Sequence, residues 1–242
     1  MNTSTASSPQ NAISALFSGK TYFLWDFDGC FADTERLHYL AYSQAFAQFG
    51  HTLSEREYYP SFTHLGDGTG REIEKYNLKT TVDKINSLKK DNYWKIINSA
   101  PVQLFPETTA ILQILAALGG GHGRIAIASN SPTHEIEVIL KRAGYTGPLH
   151  ALIGRTDTLR KKPAPDIFLH ALKELGGNAA QAVVFEDSER GLAAAHSAHC
   201  DAIWMRTKIN ENLSTTVPHK AHSTHAHLLQ ALRELQALQG IR

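Results

Sequence analysis

Tyr22-Phe-Leu-Trp-Asp26-Phe-Asp28-Gly29 is an apolar run that ends in two carboxylates one residue apart. In an extended chain residues i and i+2 point to the same side, so Asp26 and Asp28 would share one space at a strand end. Two further runs close in the same manner. Ile125-Ala-Ile-Ala-Ser129-Asn130 ends in a hydroxyl and an amide, and Ala182-Val-Val-Phe-Glu186-Asp187-Ser188 ends in two more acids. Lys162 opens the intervening stretch Lys162-Pro-Ala-Pro-Asp166-Ile-Phe168. Short continuous apolar runs, each followed by a helical pattern, fit strands covered on both faces of a parallel sheet. Ligands of such open sheets bind outside the carboxyl ends of the strands, where these polar residues would converge.

Working outward, Asp33 opens a helical pattern carried by Leu37, Leu40, Ala41, Ala45, Phe46 and Phe49 and closed by Gly50. From Ser54 to about Ile97 the pattern stays helical, with a break at Gly66-Asp-Gly-Thr-Gly70 and no alternating strand. Beyond residue 106 strands and helices alternate, which implies a parallel sheet with helices on both faces. The expected fold class is α/β: a three-layer Rossmann-like core with a central parallel sheet, plus an inserted all-α cap domain. The expected division is a mobile N-terminal tail (1–18), a core from 19–33 and 102–242, and a helical cap (34–101). Within the core, helices are expected over 107–118, 132–143 with Ser131 as N-cap, 164–175, 188–198 and 227–238. Strands are expected at 124–129, 149–154, 182–186 and 202–205. Gly119-Gly-Gly-His-Gly123 lacks the ending of a P-loop and reads as a loop, and 207–224 reads as irregular.

Composition narrows the partners. Apolar residues make up 42 % and charged residues 19 % of the 242, an ordinary globular balance. With 24 basic against 23 acidic residues the formal charge is +1, so no nucleic acid or anionic membrane is expected as partner. The stretch Ala110-Ile-Leu-Gln-Ile-Leu-Ala-Ala-Leu118 falls short of the roughly 20 apolar residues of a membrane span. The first ten residues lack the charged start and apolar centre of a secretory signal, and Cys30 and Cys200 are the only cysteines. A cytoplasmic monomer or small homo-oligomer is expected.

The order of motifs resembles the haloacid dehalogenase-like (HAD) hydrolase superfamily: Asp26-Phe-Asp28-Gly29 with Asp33-Thr34-Glu35, then Ser129-Asn130, then Lys162-Pro-Ala-Pro-Asp166-Ile-Phe168, then Phe185-Glu186-Asp187-Ser188 and Gly191. The likeness covers about residues 20–206 and is nearest to the sugar-phosphate phosphatases and β-phosphoglucomutases with a helical cap. It implies a Mg²⁺ ion bound by the carboxylates of Asp26 and Asp187 and the backbone carbonyl of Asp28, with Glu186 assisting from the outer sphere. Strand alternation would send Glu186 and Asp187 to different sides unless the strand has already ended, so the residues alone leave the direct ligand open.

The chemistry of the residues runs parallel to that likeness. Phosphoryl transfer needs an in-line nucleophile, neutralised equatorial oxygens and a proton for the leaving oxygen. Asp26 suits the nucleophile, forming an aspartyl-phosphate. Asp28 suits the acid and base, a role that favours a carboxyl with a raised pKa. Acids without a Cys or His set call for a hard cation such as Mg²⁺. Lys162 would neutralise phosphoryl oxygens, and the Ser129 hydroxyl and Asn130 N–H would donate to them. His38 has two readings, substrate handling as in β-phosphoglucomutases or packing. Thr69 and Arg71 would either meet the substrate or merely connect helices. Gly29 reads as a tight-turn requirement, Cys30 as a small buried group, and His219, His222, His225 and His227 as a solvated segment.

The presence of Asp28 points away from dehalogenation and carbon–phosphorus cleavage, since family members with those activities lack that acid. The leading expectation is a Mg²⁺-dependent phosphatase for a small phosphorylated metabolite, a sugar phosphate. A phosphomutase is the alternative, and a non-catalytic phospholigand-binding module the third reading.

Overall fold

The computed structural model describes residues 15–240. Its centre is a six-stranded parallel sheet made of β1 (Tyr22–Trp25), β2 (Arg124–Ala128), β3 (Ala151–Ile153), β4 (Ala182–Glu186), β5 (Asp201–Met205) and β6 (Ala221–Ser223). The order across the sheet is β3-β2-β1-β4-β5-β6. Trp25 pairs with Ile127 on one side and with Phe185 on the other. That register brings Asp26 level with Glu186, one step short of Ser129. The Asp26 N–H continues the ladder by donating to the Phe185 carbonyl at 2.9 Å.

Strand alternation sorts the core into two layers. Phe23, Trp25, Ile125, Ile127, Val183 and Phe185 face α5 (Thr108–Gly121), α6 (Thr133–Arg142) and α9 (His225–Leu238). Trp25 and Phe185 stack there with ring centroids 4.0 Å apart, each large aromatic contributing roughly 1.5–3 kcal/mol by burial. On the other face Leu24, Ala126, Ala128, Ala182 and Val184 meet α7 (Asp166–Leu175) and α8 (Glu189–Ser197). The small side chains of this face let both helices approach the sheet closely.

Between β1 and β2 the chain forms α1 (Glu35–Ala47), α2 (Glu55–Tyr58), a π-helical segment (Tyr59–Leu65), α3 (Gly68–Lys75) and α4 (Val82–Ser99). These helices have a core of their own in Ala45, Phe46, Leu53, Tyr58, Phe62 and Ile85. The π-helical segment stops at Gly66, whose φ of 83° is left-handed and open to glycine at little cost.

Several expectations are corrected. Residues 1–14 of the expected tail lie outside the described residues, but Phe17 is buried against Phe23 and Phe185, so the chain is packed before residue 18. The glycine run is not a free loop: α5 extends to Gly121, and left-handed Gly120 and Gly121 close it. Ser131 does not cap α6, whose N-cap residue is Pro132. The segment 207–224 contributes β6, which pairs with β5 through Ile203 and Ala221. Three residues, Ala-His-Ser, are too few and too polar to display a period. His225 is not solvated. It is buried, begins α9, stacks on Phe105 at 4.3 Å and lies 2.7 Å from the Cys30 carbonyl through Nε2.

Candidate active site

The carboxyl ends of β1, β2 and β4 open into a cavity of about 670 Å³ between the sheet and the inserted helices. Asp26, Lys162, Glu186 and Asp187 are buried at its floor. Lys162 Nζ donates to Asp26 Oδ1 at 2.5 Å and to Glu186 Oε1 at 2.6 Å, which leaves Asp26 Oδ2 free of that lysine. The Asn130 side chain accepts from the Lys162 N–H at 3.0 Å and so fixes the lysine loop to the end of β2.

Glu186 is held from the other side by α8: its Oε2 accepts from the Ser188 N–H at 3.2 Å and the Ser188 hydroxyl at 3.1 Å. Gly191 makes this possible, since a Cβ there would lie 1.8 Å from Glu186 Cδ. Asp187 is placed through its backbone. Its carbonyl accepts from Trp204 Nε1 at 3.0 Å and from Asn210 Nδ2 at 2.9 Å. A Cβ on Gly29, whose φ is 76°, would lie 2.3 Å from Asp187 Oδ2. Because β4 ends at Glu186, the alternation that would separate the two neighbouring acids no longer applies, and both reach the floor.

Oxygens of Asp26, Glu186 and Asp187 lie within 4.8 Å of one another. One ammonium thus stands beside three buried carboxylates. Burial works against the charge of Lys162, but Asp26 and Glu186 hold it above the ordinary lysine range. The surplus negative charge falls on the acids. Burial and then Glu186 push Asp26 up to about 8, and burial, Asp26 and Glu186 push Asp187 well above the carboxylate range. An all-oxygen donor set with uncompensated charge fits a hard divalent cation. Cys30 follows the site as a buried thiol that burial pushes well above its ordinary value.

Asp28 sits in a separate network. Its Oδ1 accepts from Thr34 Oγ1 at 2.6 Å and lies 2.9 Å from His38 Nε2, and its Oδ2 accepts from Ser131 Oγ. Burial would raise this carboxyl, yet His38, then Ser131 and Thr34, hold it well below the ordinary carboxylate range. This reverses the expectation of a raised pKa, because three donors outweigh desolvation. The Asp28 side chain is outside the three-carboxylate group. His38 is packed, with its ring stacked on Tyr93 at 4.0 Å, and its edge is turned to Asp28.

Ser129, Asn130 and Thr69 line the cavity, and Ser129 Oγ accepts from the Ser131 N–H at 3.0 Å. Arg71 does not line it. Its guanidinium pairs with Asp67 at 2.7 Å, one helical turn back, and it borders a separate groove with Glu57 and Lys75. The cavity cations are instead Lys89, Lys90, Arg155, Lys161 and Arg190. Sequence reasoning passed over these and read Ser131 as a helix cap. Only Lys161 and Arg190 carried a signal, by adjoining the Lys162 and Ser188 motifs.

A family model described as haloacid dehalogenase-like hydrolase matches residues 23–205. The plasmid-encoded protein CbbY of Cupriavidus necator is 29 % identical over 192 residues, covering 72 % of this chain and 74 % of its own. The β-phosphoglucomutase of Bacillus subtilis is 29 % identical over 191 residues, covering 74 % and 80 %. The crystal structure of CbbY from Rhodobacter sphaeroides in complex with phosphate superposes with a TM-score of 0.69 at 24 % identity, over 86 % of this chain and 99 % of that one. Among the described residues, no helix is long and apolar enough to cross a membrane.

Proposed function

Since this chain belongs to the haloacid dehalogenase-like hydrolases, we propose that it is a Mg²⁺-dependent phosphatase that hydrolyses a small phosphorylated metabolite, a sugar phosphate, through an aspartyl-phosphate on Asp26. The observation that carries this reading is the division of labour between the two acids. Asp26 Oδ1 is engaged by Lys162 while Oδ2 stays available, and Asp28 stands apart in its own donor network.

Asp26 and Asp187 would hold the Mg²⁺, with Glu186 tying the floor to Lys162 and α8. The cation, when bound, supplies the positive charge that offsets two carboxylates and a phosphate. Asp26 Oδ2 attacks phosphorus as the ester P–O bond breaks, and the departing alkoxide takes a proton from Asp28, whose proton affinity the arriving phosphate would raise. In the second half, ionised Asp28 takes a proton from water as that water displaces Asp26 from phosphorus. His38, Ser131 and Thr34 hold Asp28 ionised in the empty site, and the negative charge of an aspartyl-phosphate beside it would raise its affinity for that proton. Lys162, with the Ser129 hydroxyl and the Asn130 N–H, faces the equatorial oxygens. The inserted helices line the cavity, and their closure over it would exclude bulk water during the chemistry.

The test is Mg²⁺-dependent release of inorganic phosphate from a panel of phosphosugars by wild type and Asp26→Asn. A loss of about 10³-fold or more is expected, and undiminished turnover of the variant rejects Asp26 as nucleophile. The B. subtilis relative supports a second reading, a phosphomutase. In that case β-glucose 1-phosphate would become glucose 6-phosphate faster than phosphate appears, with dependence on a bisphosphate primer.

A further inference from the structure

Asn210 follows β5 and lies beyond residues 23–205, the span that the family model matches. It stands in the polar stretch Thr207-Lys-Ile-Asn210-Glu-Asn-Leu213, where an amide ordinarily faces water. In the fold it is 2 % exposed. Its amide is engaged on every side: Nδ2 donates to the Asp187 carbonyl at 2.9 Å and to the Met205 carbonyl at 2.9 Å, while Oδ1 accepts from the Thr207 N–H at 2.9 Å. A buried amide so placed ties the end of β4 to the end of β5 and to the loop behind them.

The loop is itself braced. Arg206 lies over the Trp204 ring with Cζ 3.9 Å from the centroid, and its guanidinium donates to the Leu213 carbonyl at 3.1 Å. The Leu213 N–H in turn donates to the Asn210 carbonyl at 3.0 Å. Asn210 is thus a fixed donor rather than one carried on a loose segment.

The consequence falls on one peptide group. Glu186 is the last β4 residue in the register with β5, so Asp187 stands past the regular ladder. The peptide between Asp187 and Ser188 is pinned at both ends instead. Asn210 Nδ2 and Trp204 Nε1 hold its carbonyl, and its N–H donates to Glu186 Oε2 at 3.2 Å. On the opposite side a Cβ on Gly29 would come within 2.3 Å of Asp187 Oδ2, so the carboxyl stands close against that turn. A shift of the pinned peptide therefore passes to the oxygens that share the floor with Asp26.

We propose that Asn210 is a positioning residue: by holding the Asp187–Ser188 peptide it keeps the Asp187 carboxyl where a cation shared with Asp26 needs it, and so sets the affinity of the site for Mg²⁺. This deepens the phosphatase reading and rests on its placement of the cation. Trp204 shares the carbonyl, but Asn210 alone also binds it to the end of β5.

The test compares wild type, Asn210→Ala, Asn210→Leu and Leu232→Ala, all freed of metal. Leu232 is buried in α9, in the other core layer from Trp204, and its truncation controls for lost stability. In calorimetric titration with Mg²⁺ both Asn210 variants should bind about 10-fold or more weakly than wild type, and Leu232→Ala should bind as wild type does. In EDTA the Ser188 N–H should exchange with solvent faster in the Asn210 variants than in Leu232→Ala, a readout that needs neither cation nor turnover. Asn210→Leu fills the space without a donor and decides the matter where Asn210→Ala does not fold. Wild-type Mg²⁺ affinity in a folded Asn210 variant, an equal loss in Leu232→Ala, or unchanged exchange at Ser188 overturns the role. No Mg²⁺ uptake by wild type rejects the cation reading and this role together, whereas uptake that the Asn210 variants match rejects this role alone.

Discussion

Glu186, fully buried, accepts a hydrogen bond from Lys162 Nζ at 2.6 Å, and the same ammonium reaches Asp26. Removing that ammonium leaves the buried carboxylates of Asp26 and Glu186 without the cation that pairs with them. Lys162→Met is expected to destabilise the EDTA-treated protein by about 3–5 kcal/mol, measured by urea denaturation. Lys162→Met/Glu186→Gln should recover part of that loss, and a double variant no more stable than the single one would refute the pairing.

Ser131 and His38 both favour the ionised form of Asp28. Taking away either donor raises that pKa, so the base is protonated at a higher pH. In Ser131→Ala the acidic limb of the kcat/KM profile should move to higher pH, and His38→Ala should move it in the same direction. A limb that stays in place in both variants would remove Asp28 from the rate-determining ionisation.

Gly191→Ala should be destabilising by about 1–3 kcal/mol, because the new methyl would displace the Glu186 carboxyl. Turnover should fall with it as Lys162 loses its anchor. Gly70→Ala is the control for stability, because its Cβ would make only an ordinary contact with Val82 Cγ2 at 3.9 Å at a helical position where alanine is favoured. Chemical denaturation and phosphate release read the two effects separately.

Asp26 has a folded pKa of about 8, above its unfolded value of about 3.9. A raised carboxyl binds more protons in the folded state, so stability is lost as pH rises between those values. Asp28 is shifted the other way, and its contribution is lost only as pH falls below about 4. In EDTA the melting temperature should therefore fall from about pH 5 to about pH 8. Mg²⁺ should restore it, and by more at the higher pH, since it binds the ionised acids. An increment independent of pH would contradict a cation at these carboxylates.

The strand ends were legible because a strand's period is short and the apolar runs stop abruptly at Asp26, Ser129 and Glu186. That they meet follows from register, which three aligned runs already imply. The donors around Asp28 were not legible: Ser131 lies 103 residues away, and its local chemistry suggests a helix cap just as well. Arg71 drew attention through its glycine-rich surroundings, yet Asp67 four residues earlier claims it by simple helical spacing. His225 was hidden in a run of histidines whose neighbours are polar, and only the fold discloses that Trp25 and Phe105 enclose it.

Trp204 joins the two halves of the cavity: its indole N–H holds the Asp187 carbonyl, and its ring stacks on His64 of the π-helical segment at 6.3 Å. The protein thus contains a native optical gauge. Ion uptake at the acids and displacement of the roof both perturb one indole, so ultraviolet emission can follow loading and closing without an added dye. A Trp204→Phe control would assign the signal, since Trp25 and Trp94 would remain as background.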